Sequence, residues 1–321
     1  MADPIIVSLI CTVRDEADNI TALLDSILAQ TRLPDEIVIN DCGSRDATAA
    51  MVREYAAREP RIRLVQGGHN ISSGRNSAVA RARGELIACT DAGLRLDPGW
   101  LAAIIAPLER HRADLVGGFF TPAPQSLFEL TLGAVNYRDV SEIDPATFLP
   151  FGKSMAFRRD LWATVGGFPE WASHCEDIIF ALAAERAGYR RSFAPTAIVH
   201  FRPRESLRAF ARQYYLYARG DGVAGLWTKR HILRYAAYKG LLGLLWAMWQ
   251  WPWLRPLGLV LIGLGGAGYT YKPYRRLWPR LRGHSRPERA SALLLVPIIR
   301  IVGDIAKMVG YPVGLFQTQR P

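Results

Sequence analysis

Two acidic signposts stand 85 residues apart in this 321-residue chain. Thr90-Asp91-Ala92-Gly93 closes an apolar run, and His174-Cys175-Glu176-Asp177 opens a helix-like run that ends near Gly188. A carboxylate at the carboxyl end of a strand is placed to meet a nucleotide or its metal, because ligands of open α/β sheets gather at that edge. A carboxylate at a helix start beside the same cleft is placed to take a proton. Asp41 follows another apolar run and so points at the same edge as Asp91. Arg75 follows Ser72-Ser73-Gly74 and is expected to begin a helix, where a helix N-terminus and a guanidinium together suit a diphosphate. His200 closes the run Ala197-Ile198-Val199, where it serves equally as a metal ligand or as a structural histidine.

These groups need elements to hold them, and the hydrophobic spacing supplies them. Residues 5–13, 36–39, 61–65, 85–90 and 115–120 read as short buried strands. Residues 19–30, 46–58, 73–82 and 97–110 have helical spacing, with Asp46 and Asp97 expected as N-caps and Pro98 in the first turn. Five β–α alternations predict a mostly parallel, Rossmann-like sheet with helices on both faces. The four cysteines are scattered without a CxxC spacing, which predicts reduced thiols and no zinc site. The N-terminal residues show no basic leader, which predicts that the front half stays in the cytoplasm.

The charge is uneven. Residues 1–200 carry 20 Lys and Arg against 25 Asp and Glu, whereas residues 201–321 carry 20 against 4. In the back half the basic residues alternate with long apolar stretches, a pattern that fits a membrane surface and anionic lipids better than nucleic acid. Residues 204–219 are amphipathic and are expected to lie on the bilayer. Residues 235–271 are expected to form an apolar hairpin, with Trp249, Trp251 and Trp253 at its turn. A basic loop is expected over 272–289 and a third apolar helix over 292–316, in-plane or re-entrant because it contains Arg300, Asp304 and Lys307.

In order and spacing, the fragments of the front half resemble the family 2 inverting glycosyltransferases, which have the GT-A fold. The resemblance covers about residues 5–220, taken as the catalytic domain, and leaves 221–321 as the membrane-associated region. It rests on the stretches 7–16, 24–30 and 36–48. It continues through Asn70 with Gly74-Arg75-Asn76, Glu85, Asp91, Gly152, Arg158-Arg159, Gly166-Gly167-Phe168 and Glu176-Asp177. What it implies is sugar transfer from a nucleoside-diphosphate donor. Asp177 would be the general base, and Glu176 would orient the loop or bind acceptor. Asp41, with Thr12, Arg14 and Glu16 beside it, would hold the nucleotide, and Arg75 the diphosphate. Gly152, Lys153, Trp171 and His174 would face the acceptor. Asp91 matches the first carboxylate of the family's Asp-x-Asp metal motif, but Gly93 stands where the second belongs. A divalent cation, Mg²⁺ or Mn²⁺, is therefore expected on fewer protein ligands, with His200 a further candidate.

Residues 213–217 sit where processive members carry Gln-x-x-Arg-Trp, and the Arg-Trp is missing. The expectation is single-sugar transfer to a lipid-linked or envelope-polysaccharide acceptor at the cytoplasmic face of the cell membrane. A processive polysaccharide synthase, a nucleotide-sugar-binding protein without turnover and a nucleotidyltransferase stand as alternatives.

Overall fold

A run of apolar and β-branched residues with no polar alternation belongs in the middle of a sheet covered on both faces. Val7–Val13 takes that place as β1, with every residue buried except the half-buried Thr12. The computed structural model describes residues 5–317; the reading of Met1–Pro4 as lacking a leader lies outside the described residues. From β1 the chain runs through α1 (Ile20–Leu28), β2 (Glu36–Asp41), α2 (Thr48–Arg58), β3 (Ile62–Gln66), α3 (Ile71–Arg81) and β4 (Leu86–Asp91). The four strands pair in parallel in the order β3-β2-β1-β4. All their carboxyl ends therefore fall on one edge. Register sets Val13 beside Asp41 and Thr12 beside Asp91.

The chain continues with β5 (Leu94–Leu96), α4 (Trp100–Glu109), β6 (Leu115–Pro122), α5 (Leu127–Asn136), β7 (Ser154–Arg158), α6 (Arg159–Thr164), α7 (Glu176–Arg186) and β8 (Arg191–Phe201). The eight strands form one sheet, β3-β2-β1-β4-β7-β6-β8-β5. It is mixed: six strands run the same way, as expected of a mostly parallel sheet, while β7 runs antiparallel to both β4 and β6, and β5 antiparallel to β8. The antiparallel strands are the short ones that periodicity does not mark. Their direction matters, because β7 begins where β4 ends and brings Gly152 and Lys153 to the carboxyl edge.

Two expected caps differ. The N-cap of α2 is Ala47; the Asp46 carboxylate instead accepts from the amide of Thr48 and from that of Ala17, tying two loops together. The N-cap of α4 is Gly99, and the Asp97 carboxylate is taken by His200.

The chain divides into two compact units, residues 1–123 with 140–202 and residues 124–139 with 203–321, against the single boundary at 220 read from the sequence. The second unit is helical: α5, α8 (Leu207–Ala224), α9 (Thr228–Gln250), α10 (Arg255–Arg280) and α11 (Arg286–Phe316). Its core joins Leu132 and Val135 of α5 with Phe210, Leu277, Val296 and Ile299. The backbones of α8 and α11 nearly touch, since a Cβ on Gly314 would lie 2.0 Å from the carbonyl of Arg219. The apolar face of α8 is thus spent on α11 and is not free to lie on a bilayer, as was expected of it. The basic loop expected over 272–289 is mostly helix, because α10 runs on through Arg280 and α11 starts at Arg286.

Among the described residues, no helix is long and apolar enough to cross a membrane. The expected spanning hairpin is present only as a pair of helices, α9 and α10. Basic residues open α9, and five glycines dilute the apolar part of α10. Large apolar side chains nonetheless stay exposed along this unit, including Trp249, Trp253, Leu242, Leu264 and Leu294.

Candidate active site at the carboxyl edge of the sheet

The centre of the site is a guanidinium. Arg75 is 1% exposed and joins two carboxylates, its Nη2 donating to Asp91 Oδ1 and its Nη1 to Glu176 Oε1, each at 2.6 Å. Arg75 does not begin a helix as expected. Asn70 caps α3 by accepting from the Ser73 amide, with Ser73 reciprocating, so Arg75 lies in the second turn. The sequence signal for this start was the Asn70–Ser73 spacing, which makes a capping box without the usual Glu. Arg75 is thus an internal counter-ion holding Asp91 and Glu176 in place, not an exposed hand for a diphosphate.

Its neighbours are cut to fit. A Cβ on Gly152 would lie 2.2 Å from Arg75 Nη2. The ring of Phe168 lies 5.5 Å from the guanidinium carbon. Arg75 Nε is buried and unbonded, as is the hydroxyl of Thr12. Burial pushes the Glu176 carboxyl up to about 7, against the pull of Arg75 and with the help of Asp177.

Asp177 lies beside this pair, in the first turn of α7. Its Oδ2 accepts from the Gly152 amide and its Oδ1 from the Ile178 amide, both at 2.8 Å. Two backbone donors fix the orientation of this carboxylate while leaving it half-buried. The preceding Cys175 takes a left-handed φ of 62° to turn the chain into the helix, a conformation that costs a non-glycine residue about 1–2 kcal/mol.

The loop that delivers α7 is built on α3. Asn76 accepts from the Phe168 amide and Trp162 Nε1, and donates to the Phe168 carbonyl. Asn70 Nδ2 and Ser72 Oγ donate to the carbonyls of Glu170 and Ala172. Sequence reasoning placed Asn76 in a motif but gave it no role. Its role is to fasten Gly167-Phe168 so that Glu176 meets Arg75.

The remaining predicted residues divide. Asp41 is at the edge, its Oδ1 accepting from the amide and hydroxyl of Ser44. Glu16 accepts from Asn19 Nδ2 at 2.7 Å. Arg14 is exposed, 4.0 Å from Asp15. Lys153 stands over the Phe201 ring at 4.5 Å, and His174 meets Ser173 Oγ at 3.1 Å. Trp171 is half-buried in the loop before α7. His200 does not join Asp91; its Nε2 is 2.6 Å from Asp97 Oδ1. Among the described residues, no three or more His, Cys, Asp or Glu gather to hold a metal ion. A cage made by the protein alone does not fit. A cation carried mainly by phosphate oxygens does, because Asp91 Oδ2 makes no hydrogen bond among the described residues and Asp91 is partly exposed.

The mixed sheet, with Asp41 and Asp91 at the ends of β2 and β4 and a second acidic pair opening α7, has the layout of a GT-A fold. Residues 8–166, just under half of the chain, match the family model Glycosyl transferase family 2. The chain is 27% identical over 267 residues to the succinoglycan biosynthesis protein ExoA of Rhizobium meliloti, covering 76% of this chain and 79% of that one. It is 25% identical over 202 residues to glycosyltransferase AglE of Haloferax volcanii, covering 60% and 65%. The fold is similar to mannosyltransferase PcManGT of Pyrobaculum calidifontis, solved with GDP-Man and Mn²⁺. That likeness has a TM-score of 0.59 at 20% identity and covers 99% of this chain and 89% of that one.

Proposed function

We propose that this glycosyltransferase moves one sugar at a time, with inversion, from a nucleoside-diphosphate sugar to a hydroxyl or phosphate of a lipid-linked or envelope-glycan acceptor. It does so at the cytoplasmic face of the cell membrane. The observation that carries the reading is the gathering of Asp91, Glu176 and Asp177 around Arg75 and Gly152.

Asp41 and the loop of Ser44 receive the nucleotide at the end of β2. Asp177 accepts the acceptor's proton as its oxygen attacks the anomeric carbon. The new glycosidic bond forms as the bond to the diphosphate breaks, and a single displacement inverts the centre. Arg75 keeps Glu176 and Asp91 apart and oriented while charge moves. Asp91 would hold Mg²⁺ or Mn²⁺ through its open oxygen, and such an ion neutralises charge on the departing diphosphate. Support for the membrane comes from the exposed Trp249, Trp253 and Leu264 together with the basic composition of residues 201–321. The relative named for succinoglycan biosynthesis supports a glycan acceptor.

The test is turnover by the purified full chain of UDP-, GDP- and dTDP-sugars, with and without Mn²⁺, beside Asp177→Asn. One donor consumed by the wild type and not by the variant supports transfer. Nucleotide binding with no turnover, even with membrane-lipid extract added, would favour the binding-only reading that Gly93 suggests.

A further inference from the structure

A small polar layer lies under the turn that serves Asp177. Thr90 and Ser154 stand opposite one another in the β4–β7 register, so their side chains share one face of the sheet. Trp100 of α4 reaches the same place, and all three residues are fully buried. Trp100 Nε1 donates to Ser154 Oγ at 2.8 Å, and Ser154 Oγ donates to the Ala197 carbonyl of β8 at 3.3 Å. Thr90 Oγ1 donates to the Lys153 carbonyl at 3.1 Å. Gly118 of β6 leaves room for the group, since a Cβ there would lie 2.1 Å from Ser154 Oγ. The other buried side chains of α4 are apolar: Leu101, Ile104, Ile105 and Leu108. Hydroxyls in such a layer cost free energy unless they are bonded, and Val and Ala would fill the same space. What the hydroxyls add is a fixed position for the backbone of residues 153 and 154 between β4 and β8.

That backbone closes a turn. The Ser154 amide donates to the Phe151 carbonyl at 3.1 Å, and Gly152 sits inside the turn. The Gly152 amide donates to Asp177 Oδ2 at 2.8 Å. On its other side Gly152 packs on Arg75, where a Cβ would lie 2.2 Å from Nη2. One short turn therefore aligns the proposed base and backs the arginine that joins Asp91 to Glu176. Thr90 precedes Asp91 in β4, so the strand that carries the donor-side carboxylate also grips the turn that aligns the base.

We infer that Thr90 is a positioning residue for the transfer: its hydroxyl, with Ser154 and Trp100 beside it, holds the 151–154 turn so that the Gly152 amide keeps the Asp177 carboxylate aimed at the acceptor. The role of Asp177 as base rests on the function proposed above; the hold on the turn does not. Thr90 touches neither substrate nor the reacting atoms. It acts through the Lys153 carbonyl and the Gly152 amide, and a base loses effect when its orientation is no longer fixed.

The test compares full-length Thr90→Val, which keeps the shape and loses the hydroxyl, with Thr90→Ser, which keeps the hydroxyl. Hydrogen–deuterium exchange over residues 151–154 reads the turn, and turnover of the donor that the wild type consumes reads the base. In Thr90→Val the exchange is expected to rise about fivefold, as for the loss of one hydrogen bond. Its kcat should fall about tenfold while KM for the donor stays unchanged. Thr90→Ser should restore both. Added to Asp177→Asn, Thr90→Val should lower turnover no further, because both changes act through one carboxylate. Ser154→Ala, which removes the footing and leaves Thr90, should raise the exchange in the same direction. Exchange at the wild-type level in both Thr90→Val and Ser154→Ala overturns the inference. So does a Thr90→Ser protein no better than Thr90→Val, or a full further loss of turnover on top of Asp177→Asn. A wild type that consumes no donor sinks the proposed function alone, and the exchange comparison then decides the hold on the turn by itself.

Discussion

Removing the Asp177 carboxylate should stop the chemistry and leave the fold. Its two partners are backbone amides that Asn in its place can still partly satisfy. Asp177→Asn is expected to lower transfer by about 10²–10⁴-fold with an unchanged melting temperature, read from donor consumption beside a thermal scan. Arg75→Met should do the opposite first. It leaves the buried Glu176 and the partly exposed Asp91 without their shared counter-ion, a loss of up to about 3–5 kcal/mol in denaturant unfolding. Glu176 sets a pH dependence whose sign follows from its raised carboxyl. Between about pH 4.3, the ordinary value, and about 7, the folded protein holds a proton that the unfolded chain has released. Stability from this group is full below that window and is lost as pH rises through it. Urea unfolding at pH 5 and pH 7.5 should show the slope, and Glu176→Gln should flatten it.

Elements carry their own tests. The α8–α11 contact tolerates no side chain at Gly314, where a Cβ would lie 2.0 Å from a backbone carbonyl, or at Gly310, where the distance would be 2.3 Å. Gly314→Val is expected to cost about 1–3 kcal/mol or more and to lower the melting temperature, whereas Gly263→Ala, in open space, should not. The same scale explains what could be read in advance. Strands β1, β2 and β4 are continuous buried runs, so composition marks them and their carboxyl ends place Asp41 and Asp91. Strand β5 is 3 residues long, too short for a period to register, and β7 is a Ser-Met-Ala-Phe-Arg stretch without a β-branched residue; both owe their existence to the neighbours they pair with. Helix α3 starts two residues before Ser73 because Asn70 and Ser73 cap it reciprocally.

At the scale of the molecule, an acidic catalytic unit and a basic, partly apolar helical unit are joined in one chain. If the second unit meets anionic lipid, vesicle binding has two parts with different signatures. Raising salt from 0.1 to 1 M shortens the screening length from about 10 Å to about 3 Å and should weaken binding to anionic vesicles. Replacing Trp249 and Trp253 by Ser should weaken binding to neutral ones as well, since both rings are more than two-thirds exposed. Co-sedimentation with the two vesicle types reads both; a Trp pair that changes neither argues against membrane contact through that turn.

The sequence by itself determined the alternation of strands and helices, the edge on which the acidic residues collect and the contrast between the two halves. These follow from local apolar patterns and from chain direction, which need no knowledge of distant partners. Only the tertiary structure decided that Arg75 is a buried bridge between Asp91 and Glu176, residues 16 and 101 positions away. A guanidinium reads the same in sequence whether it faces a diphosphate or two carboxylates. Which one it meets depends on how β4, α3 and α7 converge. The same holds for His200, which Asp97 claims from 103 residues away, and for α8, whose apolar face is spent on α11. In each case a polar or apolar surface was visible in the sequence, and its partner was chosen by packing between elements far apart in the chain.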